Sequence, residues 1–198
     1  MKKESIIVAT HNKNKLLEMT DFLNDLGINV YSLDDFPEIG EISEIGETLE
    51  ENALIKAKAI FEITNIPSLS DDTGLEVFGL NGEPGVYSAR WAGENCSYSD
   101  NVNKMLSKIK TVPKGHRSAQ FRTIMAFVDN SLEHLEYGVI EGEILEEAKG
   151  VGGFGYDPVF YIPSEGKTFA EMSKYEKGKI SHRGIALGKM LNYLKKYF

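Results

Sequence analysis

The feature that most constrains this chain is a pair of apolar runs joined by an amphipathic stretch. Ser5 to Ala9 (SIIVA) is continuously apolar after its first residue, the pattern of a buried strand. It stops at the polar THNKNK. Beyond it Leu16, Met19, Leu23 and Leu26 recur at spacings of three and four, which predicts a helix that Gly27 ends. INVYSL then reads as a second strand. Strand, helix and strand in this order predict an α/β unit with a parallel pair.

Downstream, Thr48 and Glu51 form a capping-box pattern ahead of Leu49, Ala53, Ala57, Ile60 and Phe61, which share one helical face. A short strand should follow and end at Asp71, with LEVFGL as a separate strand and a turn at NGEPG. AQFRTIMAFV and EHLEYGVIEGEI, joined around Asp129-Asn130-Ser131, read as a long hairpin. Ser181 is placed to cap a last helix that buries Leu187, Met190, Leu191 and Leu194. The order is α/β with one antiparallel hairpin. With no repeat or linker in its 198 residues, the chain reads as a single domain, 1–198, long enough to bury a core.

Composition narrows the function. A net charge of −8 argues against a protein that grips nucleic acid. No apolar run approaches the roughly 20 residues that cross a bilayer, and Ile6 to Ala9 is too short for a signal peptide. One cysteine, Cys96, leaves no internal disulfide and no cysteine-based metal site, so a cytoplasmic setting is expected. The charge is unevenly spread. Eight acidic residues and no lysine or arginine lie between Asp34 and Glu51, while eight basic residues face two acidic ones from Lys167 onward. Such ends would suit a metal-bound phosphate ester, but charge patterning alone favours two solvated faces.

Two familiar motifs fail on context. GVGGFG (Gly150 to Gly155) has the G-x-G-x-x-G spacing, but YDP follows, and Pro158 opposes a helix there. EGKT (Glu165 to Thr168) lacks the upstream glycine of a P-loop, since position 161 is Tyr161. The glycines still allow close approach of backbone N–H groups to a ligand, or simply a flexible loop. SLSDDTG poses a sharper question. Asp71 and Asp72 are adjacent like charges, and their repulsion must be offset by solvent, hydrogen bonds or a cation.

Four motifs in order, ATHNKNK, SDDTGLEV with NGEPGVYSARWAG, GGFGYDPVF and EKGKISHRGIAL, closely resemble the inosine/xanthosine triphosphate pyrophosphatases, a family of house-cleaning nucleotide hydrolases. The resemblance covers nearly the whole chain. Thr73 stands where serine is usual and Asn14 where glycine is common. It implies a long central mixed sheet flanked by helices, in two lobes with the active-site cleft between them. The activity implied is Mg²⁺-dependent hydrolysis of ITP, dITP and XTP to monophosphate and pyrophosphate, by a homodimer.

By that resemblance Thr10, His11, Asn12, Lys13, Asn14 and Lys15 form a substrate-binding segment. A strand giving way to a helix there favours an anion, and Lys15 adds a point charge. Asp72 is implied as Mg²⁺ ligand and general base, with Glu44 as second ligand and Glu41 and Glu51 as weaker ones. Successive strand residues point to opposite faces, so Asp71 is expected to do something else, bonding backbone near the turn. Thr73, Lys177, His182 and Arg183 match further substrate positions. Phe154 is expected to stack on the purine, with Gly155, Tyr156 and Asp157 completing that segment. Donors such as Arg183 or His182 would favour a 6-oxo purine over adenine. Tyr87, Arg90 and Trp91 fit either a site wall or a packing role. Two alternatives stay open: a related pyrophosphatase acting on pyrimidine or modified nucleotides, and a non-catalytic nucleotide-binding module.

Overall fold

A computed structural model describes residues 4–198. In chain order its strands are β1 (Ser5–Val8), β2 (Asn29–Ser32), β3 (Ser68–Val77), β4 (Pro84–Gly85), β5 (Ser118–Val128), β6 (Glu133–Ile144), β7 (Phe160–Ile162) and β8 (Lys167–Thr168). The helices are α1 (Lys13–Leu23), α2 (Leu49–Thr64), α3 (Tyr98–Ile109), α4 (Lys174–Ile180) and α5 (His182–Tyr197). The strands form one mixed sheet in the order β2-β1-β3-β5-β6-β7-β8, with β4 paired to β3. β1 runs parallel to both β2 and β3. β3–β4, β6–β7 and β7–β8 are antiparallel. Among the described residues no helix is long and apolar enough to cross a membrane.

The chain divides into two compact units. Of the described residues, the first holds 4–72, 123–138 and 185–198; the second holds 73–122 and 139–184. The first unit contains the β1-α1-β2 crossover. Its parallel register pairs Ile6 with Val30 and Val8 with Ser32. Ile6, Val8, Met19, Leu23, Leu69, Phe127, Leu187, Met190 and Leu194 pack into its largest core. Each such side chain contributes roughly 1.5–3 kcal/mol on burial, which is why α1 and α5 turn these faces inward. Leu191, expected in that set, is only half-buried. α1 tightens into a short 3₁₀ turn before Gly27, whose φ of 68° is the left-handed geometry that ends the helix.

α2 starts where the capping box predicts it. Thr48 Oγ1 accepts the Glu51 N–H, and Glu51 Oε2 accepts the Thr48 N–H. Its buried face is Leu49, Asn52, Ala53, Ala57 and Ile60.

The second unit is built around Leu75, Val77, Met105, Ile109, Phe121, Phe160 and Phe169. α3, opened by a capping box between Ser97 and Asp100, supplies Met105 and Ile109. Four residues, 129–132, connect β5 and β6, which are neighbours in the sheet. So short a link excludes a parallel crossover, and the expected hairpin is present.

One expectation is overturned. No strand ends at Asp71: β3 runs unbroken from Ser68 to Val77 through both aspartates, and the residues after Val77 form a 3₁₀ turn. Charge density argued for an end, but the strand is held on both sides by partners that the local sequence does not reveal.

Candidate active site

In the first unit, strand alternation sorts the side chains of β3. Ser68, Ser70 and Asp72 lie at period two, and the two hydroxyls donate to α2 carbonyls: Ser68 Oγ to Ala57 O at 2.6 Å and Ser70 Oγ to Ala53 O at 2.5 Å. These bonds seat α2 on the strand and bring Lys56 to Asp72. Lys56 Nζ lies 2.5 Å from Glu44 Oε1 and 3.6 Å from Asp72 Oδ1. Asp71, one step along β3, meets a different element: its Oδ2 is 3.0 Å from Lys15 Nζ on α1. The repulsion between adjacent aspartates is therefore offset by two lysines from two helices. Lys15 thus engages Asp71 from α1.

Burial pushes the Asp72 carboxyl above its ordinary value, against the pull of Lys56 and Lys15. For Lys56, burial alone would lower the ammonium's value, but Asp72, Glu44 and Asp71 together outweigh it and raise it. Sequence reasoning missed Lys56. The signal was a lysine within the buried Ala53–Ala57 stripe of α2, where an unpaired ammonium is costly.

The loop that carries Glu44 is fastened by Asn52, also unremarked in the sequence. Its Oδ1 accepts the Gly46 N–H at 2.8 Å and its Nδ2 donates to Gly46 O at 3.4 Å. Glu51 is engaged by the Glu47 and Thr48 amides, at 2.7 and 3.2 Å, in capping α2. That makes it a poor metal ligand. Glu41 is exposed.

At the start of α1, Asn12 Oδ1 accepts the Asn14 and Lys15 N–H groups at 3.0 and 3.3 Å, while Thr10 Oγ1 accepts the Asn12 N–H. Thr10 and Asn12 thus shape the helix N-terminus. His11, Lys13 and Asn14 are exposed beside it.

Can Glu44 and Asp72 hold a metal? Two carboxylates converge on one ammonium, so their oxygens already address a single cation. Mg²⁺ takes hard oxygen donors and commonly only one or two protein carboxylates, with phosphate and water completing its shell. The donor set fits that use. No group of three or more His, Cys, Asp or Glu gathers for a metal among the described residues.

The second unit assembles the other expected residues around Phe154. Asp157 Oδ2 accepts the Phe154 N–H at 2.8 Å and meets Lys177 Nζ at 2.5 Å. Gly153 makes room for this carboxylate. Its φ is 70°, and a Cβ there would stand 1.9 Å from Asp157 Oδ2. Lys177 Nζ is 4.6 Å from the Phe154 ring centre and Arg183 Cζ 5.6 Å from it, with the Tyr98 ring 5.9 Å away. Arg183 is buried and donates from Nη2 to Thr73 Oγ1 at 3.2 Å. Adjacent His182 is buried and stacked on Phe121, centroids 4.5 Å apart at 16°.

Tyr156 is an anchor: its hydroxyl donates to Ser88 O at 3.0 Å, and burial drives its titration well above the ordinary phenol range. Gly155, at φ 61°, has no atom within 4 Å of a Cβ position. Ser181 caps α5 as predicted, its Oγ accepting the Gly184 N–H at 3.0 Å. Arg90 lies 5.4 Å from the Tyr87 ring centre, and Lys104 covers Trp91 at 4.6 Å while donating to its carbonyl. The polypeptide around GVGGFG folds as turns, with no helix behind it, so the dinucleotide fingerprint is absent.

The arrangement separates two chemistries. One cluster has oxygen donors and ammonium groups suited to a cation and phosphates. The other has an aromatic ring flanked by cations and polar donors, suited to a flat, oxygen-bearing heterocycle.

The sequence model of the Ham1 family matches residues 6–193. A protein named dITP/XTP pyrophosphatase from a Thermoanaerobacter species (strain X514) is 48% identical over 191 residues, covering 96% of each chain. One of the same name from Vibrio cholerae is 43% identical, covering 98% of each. The solved structure of a HAM1 protein from Coxiella burnetii superposes with a TM-score of 0.91 at 40% identity, covering 98% of this chain and 99% of that one.

Proposed function

This chain belongs to the Ham1 family, and on that premise we propose that it hydrolyses deaminated purine nucleoside triphosphates (ITP, dITP and XTP) to the monophosphate and pyrophosphate. Glu44 and Asp72 would hold Mg²⁺, which when bound supplies charge neutralisation for the phosphate tail. Asp72 orients a water toward the α-phosphorus and takes its proton, a task suited to a carboxylate whose affinity for protons burial has raised. The water oxygen bonds to the α-phosphorus, the bond from that phosphorus to the oxygen bridging to the β-phosphate breaks, and pyrophosphate departs. Lys15 and Lys56 offset its charge, and the α1 N-terminus formed by Thr10 to Lys15 receives phosphate oxygens.

In the second unit Phe154 offers its ring to the purine. Arg183 and His182 are the donors near it, with Thr73 supporting Arg183, and the buried Asp157 holds Lys177 and the Phe154 amide in place. The whole chain serves as one catalytic domain, in the cytoplasm, as a homodimer.

The observation that carries this reading is the convergence of Glu44 and Asp72 on one partly buried ammonium. Incubation with ITP and Mg²⁺ should release pyrophosphate and IMP. Orthophosphate as first product would place the cleavage at another bond and overturn the mechanism. Faster kcat/KM for UTP or dTTP than for ITP would overturn the purine assignment.

A further inference from the structure

Lys56 sits where a bound cation would be useful. Its ammonium addresses Glu44 at 2.5 Å and Asp72 at 3.6 Å, the same two carboxylates read above as metal ligands. The frame around it is fastened. Ser68 and Ser70 tie α2 to β3, and Asn52 ties the backbone at Gly46, two residues from Glu44. With both carboxylates held by anchored backbone, the mobile part is the lysine's four-carbon stem and rotatable ammonium head.

We propose that Lys56 is a built-in counter-ion: in the free protein its ammonium occupies the cation position between Glu44 and Asp72, and a divalent ion binds there only by displacing it. The inference rests on the reading of Glu44 and Asp72 as metal ligands, and adds a competitor for them. Two like-charged ions cannot share those oxygens, because their mutual repulsion at a few ångströms in a partly buried setting is large. Displacement alone leaves a charged ammonium without its acceptors, which weakens binding of the bare ion. A nucleotide's phosphates give the displaced ammonium new acceptors, so ion and triphosphate should bind together better than either does alone. The positive coupling is reciprocal by linkage.

Calorimetric titration of the nucleotide-free protein with MgCl₂, paired with thermal unfolding in EDTA and in Mg²⁺, tests this. Lys56→Met removes the competitor while keeping the stem. It should bind Mg²⁺ more tightly than the unsubstituted protein, by on the order of tenfold. Its unfolding midpoint should be lower in EDTA and should gain more from Mg²⁺. Lys56→Arg, which keeps the charge, should stay near the unsubstituted affinity. Equal or weaker Mg²⁺ binding by Lys56→Met overturns the proposal. Should the methionine variant fail to fold, Lys56→Gln carries the same comparison with the same criterion. Glu44→Gln separates the two levels. If it weakens Mg²⁺ binding while Lys56→Met does not strengthen it, the metal reading stands and the competitor is excluded. If it leaves Mg²⁺ binding unchanged, Glu44 is no ligand and both fall.

Discussion

In the first unit three carboxylates, Glu44, Asp71 and Asp72, meet the ammonium groups of Lys15 and Lys56. In the second unit cations gather about an aromatic ring: the buried Asp157 meets Lys177, and Lys177 and Arg183 stand near the same Phe154 ring. A cluster of carboxylates has use for a divalent ion. A ring flanked by cations has use for an electron-rich, oxygen-bearing base. On the proposed reading charge and recognition fall to different side chains, and perturbing each should fail in a different way.

The largest effect belongs to the first cluster. Asp72→Asn keeps the shape and removes the proton acceptor, so kcat for ITP should fall by about 10²–10⁴-fold. The unfolding midpoint should stay close to that of the unsubstituted protein, because burial already disfavours the charged form of Asp72. Near-normal turnover in a normally folded variant removes Asp72 from the role of base.

The second cluster should show the opposite split, a stability loss. Lys177 and Asp157 are buried, their side chains 8% and 4% exposed, and Lys177→Met takes away the carboxylate's ammonium partner. Loss of one partner from a buried pair costs about 3–5 kcal/mol, to be read from urea unfolding. A loss below about 1 kcal/mol, in the range of an exposed pair, would mean that solvent reaches Asp157 and that the second unit is not organised around this pair.

Phe154→Ala sharpens the contrast at a smaller scale. Stacking on a base is worth about 1–3 kcal/mol, so KM for ITP should rise on the order of tenfold while kcat changes little. A fall in kcat with KM unchanged would assign the ring to the chemistry rather than to recognition.

How much of this was legible depends on the range of the interactions. The β1-α1-β2 unit and the Thr48–Glu51 cap were readable because periodicity and capping act within a few residues. The course of β3 was not. Its aspartates looked like a strand end, since nothing nearby neutralises them; the lysines that do so lie 56 positions upstream for Asp71, at Lys15, and 16 for Asp72, at Lys56. The Lys177–Asp157 pair was not legible either, since Lys177 arrives from α4, 20 residues on. α3 was missed although Ser97 and Asp100 form a capping pattern ahead of Val102, Met105 and Ile109. That signal was local and available.

The smallest predicted effect concerns acid. Three capping carboxylates of the second unit titrate below their ordinary range. Glu176 is held down to about 2, by the Ser173 amide first, then the Ser173 hydroxyl and Lys167. Asp100 is lowered chiefly by the Ser97 hydroxyl and Glu171 chiefly by the Thr168 amide. A carboxylate depressed on folding stabilises the fold above its unfolded value and loses that contribution as pH falls through its folded value. For Glu176 the window runs from about 4.5 down to about 2. All three are solvent-exposed, so the effect is modest and salt-sensitive. Glu176→Gln keeps a hydrogen-bonding side chain at the cap and removes the titration. Its urea midpoint should fall less between pH 6 and pH 3 than that of the unsubstituted protein, and identical slopes would show that the Ser173 cap of α4 does not couple to global stability.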